Sequence, residues 1–388
     1  MKILAVGGGS GGHVTPVVAV LAELQQRDAS HEMRFWCDKK FGVQARRIMK
    51  KFDPAMPVST ITAGKLRRYH HLTLWQHLLI PSVLFPNLLD VVKVAAGFVQ
   101  SFCKLVAWRP DVIFLKGGYV CLPVGWAARV LRIPYVIHDS DAHPGLTNRL
   151  LASGAVRIAT GAPLKYYSYP AEKSRYVGIP VGQEFRPYGV AERRAIKLSL
   201  GFAADRPLVV ITGGGLGAKR INDAVAAMLP QLTKEASILL VSGVGQYDEL
   251  RKQLGDNTDV FQLTAFVSDG MARLLGAADV VVARAGATSL LELAAVGAPT
   301  ILVPNGRLTG GHQLKNAKVY ADADAVCLAD EERFKDDPQL LSAAIVALVR
   351  SPDRQKQLRQ AVGAFAKPHA ARDTADLILQ AHKKQSRK

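Results

Sequence analysis

The sequence predicts an α/β protein built from two Rossmann-like domains, and three observations predict it. Apolar runs of strand length alternate with stretches of helical periodicity along the whole chain, the pattern of stacked βαβ units on parallel sheets. A strand, a glycine loop and a helix open such a unit twice, about 200 residues apart. The 388 residues, 49% of them hydrophobic, are enough for two domains with a core each.

The elements follow in order. Residues 2–6 read as a strand, 7–12 as a loop, 14–27 as a helix and 33–37 as a second strand. Residues 111–115, the pair Gly117 and Gly118, a helix through Arg129 and a strand at 135–138 make another βαβ unit. The second opening has a strand at 208–212, glycines at 213–217 and a helix at 218–229. Strand-like runs follow at 238–242 and 280–283. A helix at 288–296 is stopped by Gly297, and a strand at 300–303 is ended by Pro304. Residues 178–188, rich in Gly and Pro, read as the linker. The expected domains are therefore 1–182 and 183–365. Residues 366–388 are expected to form a C-terminal helix with a basic tail that packs back on the first domain.

One stretch, residues 65–102, breaks the alternation. It opens on Lys65, Arg67, Arg68, His70 and His71, then turns apolar through Trp75, Leu79 and Phe85. Pro81 and Pro86 are expected to interrupt it, which argues against a membrane-spanning helix. It reads either as an irregular cover on the core or as a surface patch with a basic rim that dips into a bilayer interface.

The net charge of +18 favours anionic partners: phosphorylated substrates, acidic lipid headgroups or nucleic acid. No nucleic-acid-binding signature accompanies it, so nucleic acid is set aside. The four cysteines, Cys37, Cys103, Cys121 and Cys327, form no CxxC pair and read as buried, reduced thiols of a cytoplasmic protein. The apolar start is too short for a signal peptide.

Three segments point to phosphate chemistry. The loop Gly7-Gly8-Gly9-Ser10-Gly11-Gly12-His13 lets the backbone approach an anion, and the helix that follows offers free N–H groups. The second glycine loop, with Gly214 and Gly215, has the same physics. Residues 283–292 follow a strand and open a helix that Thr288 or Ser289 could cap. There, Arg284 could neutralise phosphate, and Glu292, one turn in, could hold a ribose diol. Glu292 also fits an ordinary acid complementing the helix dipole. His312, Gln313 and Asn316 suit sugar hydroxyls, because amides and imidazoles both donate and accept. Asp38, ending the second strand, keeps a nicotinamide oxidoreductase in play. Asp322-Ala323-Asp324 reads as exposed polarity. Asp139-Ser140-Asp141 ends a parallel strand, where α/β sheets place ligands. No His/Cys cluster at zinc spacing is present.

Taken together, these segments resemble the MurG family of glycosyltransferases. The matching pieces are residues 8–13, 116–120, 144–148, 213–218, 284–292 and 312–317, in the family's order over nearly the whole chain. The resemblance implies a GT-B fold, two Rossmann-like domains facing across a cleft. It implies inverting transfer of N-acetylglucosamine from UDP-GlcNAc to the 4-hydroxyl of the lipid-diphosphate-linked muramoyl-pentapeptide, a step of peptidoglycan synthesis that bears on cell shape and division. It also implies a peripheral protein on the cytoplasmic face of the cell membrane, attached to its anionic surface through Arg67, Arg68, Trp75, Leu79 and Phe85. Other cell-wall synthesis proteins are candidate partners, and neither a cofactor nor an obligatory metal is expected.

Carried over residue by residue, the resemblance sets Phe266 and Val267 at the uracil, Ala287, Thr288 and Ser289 at the diphosphate, and Glu292 at the ribose. His312 and Gln313 would read the sugar. Ser10, Gly11, Gly12 and His13 would close on the donor diphosphate and the acceptor, with Tyr119, Asp141, Thr147 and Asn148 also on the acceptor side. The chain departs from the family pattern in three places. Asp139-Ser140-Asp141 stands where the family has Glu-Gln-Asn, Gly215-Leu216 where it has Ser-Gln, and Gly182 where it has arginine. The general base is expected at Asp141, since aspartate is ordinarily ionised at neutral pH and replaces an amide that could not act as a base. His13 is its rival, although a diphosphate beside it favours the imidazolium, which cannot accept a proton. The alternatives are another GT-B enzyme, either a glycolipid glycosyltransferase or a UDP-GlcNAc epimerase, and the oxidoreductase using Asp38.

Overall fold

The computed structural model describes residues 1–8, 11–65, 80–215, 217–267, 269–306 and 311–385. The chain forms two compact units, Met1–Gly182 with Lys367–Lys388, and Gln183–Ala366.

The first unit carries a seven-stranded sheet: β1 (Lys2–Val6), β2 (Glu32–Asp38), β3 (Val58–Ile61), β4 (Val112–Leu115), β5 (Tyr135–Asp139), β6 (Arg157–Thr160) and β7 (Ser174–Tyr176). Its order is β3-β2-β1-β4-β5-β6-β7, and every pairing is parallel. Parallel strands need crossovers on both faces, so their side chains are buried both ways. Along β1, Ile3 and Ala5 pack into one apolar cluster while Leu4 and Val6 pack into another. The helix Ala370–Gln385 completes the first cluster, setting Ala375, Leu377, Ile378 and Ala381 against Val14, Val17 and Leu21. Arg27 and Asp376 close that contact at 2.6 Å.

The second unit has six strands: β8 (Leu208–Thr212), β9 (Ser237–Val241), β10 (Phe261–Thr264), β11 (Val280–Ala283), β12 (Thr300–Leu302) and β13 (Cys327–Leu328). Its order is β10-β9-β8-β11-β12-β13, again all parallel. Each sheet thus reverses its strand order once, between β1 and β4 and between β8 and β11. Ligands of open parallel sheets bind outside the carboxyl ends of the strands at such switch points. The loops that begin at Gly7 and Lys116 flank the first, and those that begin at Gly213 and Arg284 flank the second.

Two expectations need correction. Residues 81–108 form one continuous helix, Pro81–Trp108, rather than an interrupted segment. Pro81 occupies the first turn, where a missing N–H costs nothing, and Pro86 lies one turn further in. By length and composition this helix could cross a membrane. Its buried stripe, Val83, Val94, Leu105 and Trp108 among it, recurs at helical spacing, and the last three of these join the apolar cluster beneath the sheet. The opposite side leaves Phe85, Leu88, Leu89 and Val92 exposed, each by more than half, so the helix is not amphipathic: it carries apolar side chains on both its buried and its exposed face. The cysteines are also not uniformly buried. Cys37 and Cys121 are, Cys327 is half-buried and Cys103 is exposed on this helix; all four are free thiols.

Candidate active site

In the first unit, Lys116 follows the last residue of β4 and is fully buried, 1% exposed. Its ammonium donates to the Ser140 hydroxyl. The Ser140 hydroxyl lies 3.4 Å from His138 Nδ1, while His138 Nε2 lies 2.8 Å from the Gly178 carbonyl. A carbonyl only accepts, so Nε2 carries a proton, and in the neutral imidazole Nδ1 is the acceptor facing Ser140. Burial pulls the Lys116 amine down to about 8, against the opposing pull of the Asp141 and Asp139 carboxylates.

Asp139, the last residue of β5, is buried. It accepts from the Tyr169 hydroxyl at 2.7 Å and from the Gly145 N–H at 3.2 Å. Burial pushes its carboxyl up to about 7 in spite of those donors. Asp141 is half-buried, and its carbonyl accepts from the Tyr167 hydroxyl at 2.7 Å. Asn148, buried on the helix Leu146–Leu151, donates to the His138 carbonyl at 3.3 Å, and its Oδ1 has no partner among the described residues. Beside these side chains, Gly118 has φ +86°, and a Cβ there would lie 2.8 Å from the Gly8 carbonyl, so only glycine lets the loops after β1 and β4 meet.

In the second unit the helix Ala287–Val296 starts directly after the loop that follows β11. Its N-cap is Gly286, with no side-chain cap, so its first-turn N–H groups have no intrahelical acceptor. Glu292 is half-buried one turn along; burial first, and then the Glu184 carboxylate, pushes it up to about 7. A Cβ on Gly215 would lie 3.9 Å from the Phe266 ring, so the loops after β8 and β10 meet beside the switch point. Phe266 is 52% exposed, an aromatic face open to a flat ligand.

Sequence comparison bears on both units at once. Residues 3–160 match the glycosyltransferase family 28 N-terminal domain and residues 208–377 the family 28 C-terminal domain. A UDP-N-acetylglucosamine–N-acetylmuramyl-(pentapeptide) pyrophosphoryl-undecaprenol N-acetylglucosamine transferase of Halalkalibacterium halodurans is 32% identical over 99% of this chain and 100% of its own. The chain belongs to the MurG family. A transferase of the same name from Shouchella clausii is 33% identical over 86% of this chain and 87% of its own. Among solved structures, the MurG of Acinetobacter baumannii shares the fold with a TM-score of 0.70 at 24% identity, over 98% of this chain and 100% of that one. The UDP-GlcNAc 2-epimerase of Neisseria meningitidis shares it at 0.66 and 13%, over 98% and 100%. As a member of the MurG family the protein is a glycosyltransferase of the two-domain parallel-sheet class.

Several residues expected at the site prove to be committed elsewhere. Arg284 is buried; it donates to the Val303 carbonyl at 3.0 Å and pairs with Glu331, so its charge is already met inside the domain. Asn316, also buried, donates to the Ala285 carbonyl at 3.2 Å and braces the loop after β11. The Gln313 carbonyl oxygen accepts from the Asn305 N–H at 2.8 Å. Neither Thr288 nor Ser289 caps its helix. The Tyr119 hydroxyl, expected at the acceptor, is bonded to Asp38. Asp38 in turn is buried and accepts from the Phe41 N–H at 3.0 Å, so its carboxylate is not open to a nicotinamide ribose. Asp322 and Asp324 pair with Lys318 and Arg354.

Thr147 is half-buried on the same short helix as Asn148, while Gly214 and Val267 lie in the loops already described. His312 is half-buried at the start of the helix His312–Ala321. Ser10, Arg67, Arg68, Trp75 and Leu79 lie outside the described residues. For Gly11, Gly12 and His13 only the helical backbone is described. Sequence reasoning gave no role to Lys116, Ser140, Tyr167, Tyr169 or Glu331. Lys116 had a signal, a lone lysine between an apolar strand and two glycines. The tyrosines and Glu331 had none, because their partners are distant in the chain.

Proposed function

We infer that the protein transfers N-acetylglucosamine from UDP-GlcNAc to the 4-hydroxyl of the lipid-diphosphate-linked muramoyl-pentapeptide, as the names of its relatives describe. The observation that carries this reading is the match to such transferases along the whole of both chains. The geometry agrees with it. The uncapped helix at Ala287 offers N–H groups to the donor diphosphate, and Glu292 can accept from a ribose diol. Phe266 offers a face for the uracil. With Arg284 committed to Glu331, the leaving UDP is stabilised by the N–H groups and the helix dipole, an electrostatic contribution that grows as charge develops.

The acceptor belongs at the ends of β4 and β5. There the Asn148 oxygen can receive a sugar hydroxyl, and Asp141 takes the proton of the 4-hydroxyl as the bond to C1 forms. Asp139 is drawn toward its neutral form by burial, which suits it less to that step. The protein attaches to the cytoplasmic face of the membrane through the exposed apolar side of the helix Pro81–Trp108, where Phe85 stands, together with the preceding basic segment.

A donor screen across UDP sugars with a lipid-diphosphate acceptor tests the assignment. Transfer from UDP-GlcNAc alone is expected, and acceptor-independent epimerisation of UDP-GlcNAc would replace it with the second reading. For the base, Asp141→Asn should lose several orders of magnitude in kcat. Near-full kcat in that variant, with loss in His13→Ala, would move the role to the histidine.

A further inference from the structure

Beside the acceptor end of the first unit lies an open cavity of about 370 Å³. That is at the small end of the range for small-ligand sites, about 300–1,000 Å³. Its walls include His143, Arg149, Lys165, Tyr166 and Tyr167, and no carboxylate lines it among the described residues. Arg149 and Lys165 are exposed, and neither is paired with a carboxylate among the described residues. The Lys165 ammonium rests 5.1 Å from the Tyr166 ring, which holds it at the rim.

The cavity is joined to the catalytic end in two ways. Arg149 follows Thr147 and Asn148 on one short helix. Tyr167, a wall of the cavity, donates its hydroxyl to the Asp141 carbonyl at 2.7 Å. A substrate whose sugar sits at Asp141 therefore finds a cationic pocket one side chain away. Guanidinium and ammonium groups together select oxyanions, and the planar guanidinium suits a carboxylate in two-point contact.

We propose that this cavity binds a carboxylate of the acceptor's peptide stem. The proposal rests on the transferase reading above. The acceptor carries oxyanions of two kinds, its diphosphate and the carboxylates of its peptide. The helix that begins at Gly11, after β1, can offer its first-turn N–H groups to a diphosphate. The cavity is walled instead by the loop after β5, the helix Leu146–Leu151 and the loop after β6. Its size admits a carboxylate with its nearest backbone, not a whole peptide.

The test is steady-state kinetics with two water-soluble, short-lipid acceptors that differ only in whether the stem carboxylates are free or amidated. Wild type, Arg149→Ala, Lys165→Ala and the double variant are compared. With the free acid, KM for the acceptor should rise about tenfold in each single variant. The effect should fall on this KM rather than on kcat or the KM for UDP-GlcNAc. Amidation should raise the wild-type KM by a similar factor and abolish the effect of the substitutions. Equal losses on both acceptors would assign the two side chains to the diphosphate and overturn the proposal. Transfer to both acceptors with one wild-type KM would remove the subsite alone. Transfer to neither would remove the transferase reading and the subsite together.

Discussion

Lys116 donates its hydrogen bond to the Ser140 hydroxyl in a fully buried setting, with the Asp139 and Asp141 carboxylates as its nearest countercharges. A buried cation favours the charged form of a carboxylate beside it. The mutant Lys116→Met should therefore move the acid limb of the kcat/KM profile upward by about one pH unit and reduce kcat roughly 10–100-fold. The double variant Lys116→Met, Asp141→Asn separates charge balance from proton transfer. If Asp141 is the base, neutralising both leaves activity low; recovered activity would make the pair a structural charge balance. An acid limb unmoved in Lys116→Met would remove the coupling.

Glu292 has a carboxyl pushed up to about 7, so its ionised fraction grows between pH 6 and 8. A ribose diol donates to the carboxylate, not to the neutral acid's hydroxyl. UDP affinity should thus strengthen about tenfold from pH 6 to pH 8, once the pH dependence of UDP itself is subtracted. The mutant Glu292→Ala should weaken UDP binding by about 1–3 kcal/mol and flatten that dependence. Calorimetric titration at three pH values measures both, and unchanged affinity in the variant would place the ribose elsewhere.

Arg284 and Glu331 form a buried pair; removing Glu331 strands the guanidinium, and removing Arg284 leaves Glu331 only its longer contact to Arg220 at 3.8 Å. Glu331→Ala and Arg284→Ala should each cost about 3–5 kcal/mol in stability. Replacing both with apolar residues of similar volume should recover most of it. Chemical denaturation gives the comparison. If Arg284→Ala weakened UDP binding without loss of stability, the arginine would be a phosphate ligand after all.

The exposed side of the helix Pro81–Trp108 predicts peripheral, salt-sensitive membrane binding. Phe85→Ser with Leu89→Ser should release the protein from anionic vesicles in a flotation assay, with secondary structure unchanged. The basic segment before the helix should make wild-type binding fall as salt rises. Equal flotation of variant and wild type would assign this face to another role.

The strands and the glycine loops were legible in the sequence because their signals are local. Four apolar residues, a lysine and two glycines, as at residues 112–118, need no knowledge of the rest of the chain. The helix ends that face the switch points were legible for the same reason. What could not be read was where side chains point once the chain is folded. Arg284 looked like a phosphate ligand because its partner, Glu331, lies 47 positions away. Asp38 looked like a ribose ligand because Tyr119, which bonds it, arrives from the loop after β4. Pro86 looked like a break, since sequence cannot tell a proline one turn into a helix from one that ends it.

The return of the helix Ala370–Gln385 to the first unit sets an order on the making of the protein. Val14, Val17 and Leu21 have no complete floor until Ala375, Ile378 and Ala381 reach them. The intervening unit, Gln183–Ala366, is contiguous and can close on itself as it emerges from the ribosome. At roughly 5–20 residues per second, the first unit waits about 10–40 s for its final helix. During that interval its apolar face is a client for chaperones, and a chain truncated before Ala370 has every segment of its second unit but lacks the closing helix of its first.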